Sequence, residues 1–142
     1  MARFARLSRA ERGLVLRATA LLAVASCVVR WPGPGWGLRQ LTRISGVQRA
    51  PTTIAPARVA WIVEAVAARL PWSTTCLVRA AVSARLIASV GGACELVIGT
   101  EPGAPAFAAH AWVVASGEVA GPVPEAHLVP VARWALPDSR PA

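Results

Sequence analysis

The chain has 142 residues, enough for one domain with a single modest core. Its fifteen basic residues are all arginine, and lysine, tyrosine and asparagine are absent, the imprint of a GC-rich coding sequence more than of any chemistry. Residues 1–70 hold eleven Arg against Glu11 and Glu64, net +9, whereas residues 71–142 hold four Arg against five acids, net −1. A basic first half fits an acidic partner, a membrane surface, or simply solvated helix faces. Nucleic acid is disfavoured, because no zinc spacing, RNP-like aromatic motif or compact basic run occurs. Cys27, Cys76 and Cys94 are odd in number and show no CxxC spacing, which argues against a disulfide framework and for a reducing, cytoplasmic compartment. A zinc site built from Cys76, Cys94, His110 and His127 lacks the close ligand pairs of structural sites, so no metal and no other cofactor is expected.

Ser8-Arg9-Ala10-Glu11 is a capping box that opens a helix running to about Val29. Its second half, Ala18 to Val29, is apolar apart from Thr19 and Ser26, but shorter than the ~20 residues that span a bilayer. Val24-Ala25-Ser26-Cys27 resembles a lipoprotein cleavage site, yet Glu11 and the long leading segment speak against export. A buried or partner-docking helix is favoured, with Cys27 as a small apolar filler. Membrane-surface contact through residues 14–29 stays open. Residues 31–57 read as loop with one short helix around Leu38 to Ile44.

Pro56 opens a second helix ending at Leu70, with Val59, Ile62, Val63, Val66 and Leu70 on its core face. Ser73-Thr74-Thr75 supplies N-cap candidates for a third helix, Cys76 to Val90, packed through Ala80, Ala84, Ile87 and Ala88. Gly91-Gly92 closes it. Strands follow at Ala93 to Ile98 and Ala106 to Val114, with residues 99–103 as the loop between them. Ser116-Gly117 turns tightly into a third strand, Glu118 to Gly121. From Pro122 the chain is proline-punctuated, and Leu128, Val131 and Trp134 lay it across the core. This is an α+β order, helices first and then a small antiparallel sheet. It divides at about residue 50 into an N-terminal apolar helix with its loop (1–50) and a core (51–142), together one compact unit.

Cys76 begins a helix and His110 lies on a strand flanked by small Ala109 and Ala111. A thiolate is stabilised by the free amides and positive end of a helix and by a neighbouring imidazolium. His110 would then serve as base towards the thiol and as acid to a leaving amine. The Cys76 amide supplies one donor to a developing oxyanion, and no second donor is identifiable. Spacing alone leaves the bland alternative open, in which both residues belong to the core.

Cys76-Leu77-Val78-Arg79-Ala80, then Gly92, Leu96-Val97-Ile98-Gly99 and Phe107-Ala108-Ala109-His110-Ala111-Trp112-Val113 resemble the transglutaminase-like cysteine peptidases of lasso-peptide biosynthesis. The similarity covers about residues 71–121, and the histidine segment is its most specific part. It implies a papain- or transglutaminase-like fold and cleavage of one peptide bond between the leader and core of a ribosomal precursor. Cys76 would be the nucleophile and His110 the general base. The implied partners are the precursor leader peptide, a small leader-recognition protein and an asparagine-synthetase-like cyclase.

The family places an aspartate on the strand returning after the histidine. Pairing across the Ser116-Gly117 turn sets Ala115 opposite Glu118 and Trp112 opposite Gly121, so the acid would fall at Pro122 or Val123, neither of which has a side-chain acceptor. Glu118 lies ~13 Å from the histidine along the strand. Asp138 is in the tail, and Glu125 is the expected third catalytic residue, with a backbone carbonyl or water as its rival. Two other functions remain: a non-catalytic subunit of the same assembly, and a transglutaminase-like acyltransferase passing the acyl group to an amine.

Overall fold

A computed structural model describes residues 7–30, 54–103, 109–122 and 127–136. Helix α1 spans Arg9–Arg30, α2 Pro56–Ala67 and α3 Cys76–Ser89. Strands β1 (Cys94–Thr100), β2 (Ala109–Ala115), β3 (Glu118–Ala120) and β4 (Val129–Leu136) follow in one antiparallel sheet, ordered β3-β2-β1-β4.

The helix starts form as the sequence dictates. At α1 the Ser8 amide donates to Glu11 Oε2 at 2.8 Å and the Glu11 amide to Ser8 Oγ at 3.2 Å, the reciprocal bonds of a capping box. Pro56 occupies the first turn of α2, where its missing N–H costs nothing. That helix ends at Ala67 instead of Leu70, because the Arg69 and Leu70 amides tighten onto the carbonyls of Val66 and Ala67 before Pro71. Thr75 caps α3, its hydroxyl accepting from the Val78 amide at 3.3 Å. Gly91, at φ 88°, takes the left-handed position that closes α3, and the Gly92 amide reaches back to the Ile87 carbonyl.

Helix α1 is a core helix. Leu14, Ala18, Leu22 and Ala25, spaced by three or four, are buried against α2 and α3. Arg58 of α2 ties the same two helices at the surface: its Nε donates to Glu11 Oε1 at 2.7 Å while its guanidinium lies over the Trp61 ring, 4.4 Å from the centroid. Cys27 is exposed, so it fills no gap in the core. Helix α3 is buried nearly all round: Ala81, Val82, Ser83 and Leu86 join Ala80, Ala84 and Ile87 inside, whereas Ala88 is half-buried. No helix among the described residues is long and apolar enough to cross a membrane.

The sheet departs further from expectation. Strand β1 continues through Gly99 and Thr100, which the sequence reading placed in a loop, pairing with His110 and Ala109. The tail does not lie across the core. It forms β4 on the far side of β1, with Val131 and Trp134 exposed. A proline within the strand, Pro130, is tolerated on this edge, next to the register shift at Ile98/Gly99. Ser116 and Gly117, both with positive φ, make the two-residue turn, and Ala115 pairs with Glu118 as expected. Pairing with β3 stops at Val113–Ala120, before Trp112. Leu38 to Ile44, Glu125 and Asp138 lie outside the described residues, as does the start of the expected second strand at Ala106.

Candidate active site

Three elements converge on one open cleft of about 90 Å³. Helix α2 contributes Ala60 and Glu64, one turn apart; α3 contributes Cys76, Arg79, Ala80 and Ser83 along one face. Strand β2 lines it with His110 to Val113, of which only Val113 pairs with β3, and Ala120 and Pro122 close the end. The side chains from Ala60, Ala80, Ala111 and Ala120 are all small, which keeps the space open beside the thiol.

Cys76 is the first residue of α3 and half-buried. Its position just inside the Thr75 cap puts the sulfur among the free amides of the helix start. The thiol donates to the carbonyl of Ala109, the residue before His110, at a long 3.9 Å. Cys76 and the start of β2 therefore meet. The imidazole does not take that hydrogen bond. Ala111, Val113 and Ala115 enter the helix-packed core, so strand alternation carries His110 to the other face with Trp112. There the two rings stack, centroids 6.3 Å apart and planes 20° from parallel. Trp112 in turn lies over Gly99, where a methyl group would come within 2.6 Å of the indole.

Other sulfur and histidine positions separate from this cleft. Cys94 is buried on β1, its thiol donating to the Ala84 carbonyl at 3.3 Å, and burial pushes its pKa up to about 11. His127 lies 3.6 Å from Glu101, away from the cleft lining. No group of three or more metal-ligating side chains comes together among the described residues. Glu118 is exposed at its turn.

Residues 19–133 match the transglutaminase-like superfamily, most of the described fold from within α1 to within β4. The chain belongs to that superfamily. No curated protein and no solved structure matches it. The described helices followed by an antiparallel sheet agree with a transglutaminase-like fold over residues 19–133, and the superfamily includes cysteine peptidases.

Two features of this transglutaminase-like cleft escaped the sequence reading. One is the pair between Arg79 Nη1 and Glu64 Oε2, 2.8 Å apart and half-buried in the cleft wall. Opposite charges at matching depths on two helices were a signal, but nothing in the sequence joined α2 to the cysteine. The other is a buried donor lacking an acceptor among the described residues, Arg79 Nε.

Proposed function

We propose that this transglutaminase-like domain is a cysteine peptidase that removes the leader from a ribosomally made lasso-peptide precursor. The observation that carries the catalytic part is the approach of Cys76 Sγ, at a helix N-terminus, to the backbone of Ala109 beside His110 in one open cleft. The precursor class rests on the Ala-His-Ala-Trp-Val and Cys-Leu segments.

In this reading the His110 side chain swings from Trp112 round the edge of β2 that β3 leaves open, and takes the proton of the sulfur. The thiolate adds to the carbonyl carbon of the scissile bond, with the Cys76 amide facing the developing oxyanion. The C–N bond breaks as the imidazolium passes its proton to the leaving amine, leaving a thioester. Water, deprotonated by the same imidazole, attacks the thioester and releases the leader carboxylate and the thiol. A leader-recognition protein presents the substrate, and a cyclase consumes the freed core.

Cys76→Ala is expected to abolish cleavage of a cognate precursor while leaving the thermal midpoint within a few degrees of wild type. Leader release by purified Cys76→Ala in the presence of the recognition protein would refute the assignment. Product mass separates hydrolysis from acyl transfer to an amine, the second reading the same thiol chemistry permits.

A further inference from the structure

Among the described residues the returning segment offers the cleft no acid: Pro122 stands there, and its ring carries no hydrogen-bonding atom. A carboxylate nevertheless enters the same space from the helical wall. Glu64 projects from α2 one turn beyond Ala60, and Arg79, one turn beyond Cys76 on α3, holds it. Arg79 grips Oε2 alone; Oε1 has no partner among the described residues. The pair is about a quarter to a third exposed, so the carboxylate keeps a side open to the cleft. The titratable and charged groups lining the cleft are Glu64, Cys76, Arg79 and His110.

An imidazole that has taken the thiol proton carries a positive charge and a second N–H. In a cleft whose remaining described lining is apolar apart from Ser83, that N–H needs an acceptor. Resting on the dyad reading above, we propose that Glu64, fixed by Arg79, is the positioning carboxylate of this site, its Oε1 accepting the imidazolium N–H of His110 once the ring turns into the cleft. The acid thus comes from a helix instead of the strand after the histidine. Arg79 has a defined part: it sets the carboxylate rotamer without blocking the oxygen that faces the cleft.

The test needs no precursor. Cys76 alkylation by iodoacetamide is followed at pH 6 by peptide mass in the full chain carrying Cys27→Ser, where an unassisted thiol is barely ionised. His110→Ala is expected to slow the reaction about tenfold, the effect of one pK unit on thiolate content. Glu64→Gln is expected to lose about fivefold, and to change nothing when His110 is already alanine, because its action runs through the ring. Glu64→Asp, one methylene shorter with the charge kept, should lose about threefold, again only with His110 present, and takes the place of Glu64→Gln if that variant does not fold.

Wild-type rates in both Glu64 variants would overturn the inference and leave Glu125, a backbone carbonyl or water as the acceptor. The same loss with and without His110 would also overturn it, since Glu64 would then act on the thiol or the packing. An unchanged rate in His110→Ala alone refutes the dyad itself, so the two failures are told apart.

Discussion

Gly99→Ala tests how tightly the histidine strand is set. A Cβ at this position would sit 2.6 and 2.9 Å from two carbons of the Trp112 ring and 2.9 Å from the carbonyl of Val129. The indole can shift only by disturbing its stack on His110, and the carbonyl is backbone of β4. Overpacking of this kind costs about 1–3 kcal/mol. With a urea dependence of about 1–3 kcal/mol per molar, the unfolding midpoint should fall by roughly 1 M. Cys76 alkylation should slow in the folded variant, because the ring that drives it has moved. Trp112→Leu in the Gly99→Ala background relieves the ring clash but not the carbonyl, so it recovers part of the lost stability relative to Trp112→Leu alone. A midpoint within about 0.2 M of wild type, a small fraction of the expected shift, would mean that Trp112 and β4 yield freely and that the stack does not hold the imidazole.

Other expectations concern the helix starts. Thr75→Ala removes the acceptor for the Val78 amide and should cost about 1 kcal/mol in denaturant unfolding. Glu11 has its carboxyl held below the ordinary value of 4.5, first by the Ser8 amide and then by Arg58. A lowered folded value means stability that is present above 4.5 and lost as pH falls through the folded value. The difference in thermal midpoint between wild type and Glu11→Gln should therefore be full at pH 7 and shrink as the pH is taken progressively below 4.5.

Local chemistry was readable in the sequence wherever a short-range rule decides the outcome. Ser8 with Glu11, Pro56, Thr75, Gly91 and the Ser116-Gly117 pair each mark a boundary through bonds to atoms a few residues away. The helical half of the core was legible for α2, because its apolar residues repeat on one face. It was under-read for α3, where small residues such as Ala81 and Ser83 are buried without looking apolar. Gly99 read as loop because its lack of side chain suits a turn, yet here it makes room for an indole across the sheet. The tail read as irregular because Pro130 argues against a strand, and only the edge position of β4 makes that proline harmless. In the site, Cys76 and His110 were expected to face each other; the thiol meets the Ala109 backbone beside the histidine, while the ring stacks on Trp112. The turning of His110 onto Trp112 follows from strand alternation against a core whose side was not known beforehand. Glu64 was invisible because the search for an acid followed the returning strand, whereas packing of α2 against α3 supplies it.

The seating of α1 bears on how the protein can be cut down for study. Leu22 and Ala18 press on the helix pair that carries Glu64 and Cys76. A chain begun at Pro56 would lose that wall and present to water the apolar surface of α2 and α3 that packs on it. The half that carries the cleft would aggregate on its own.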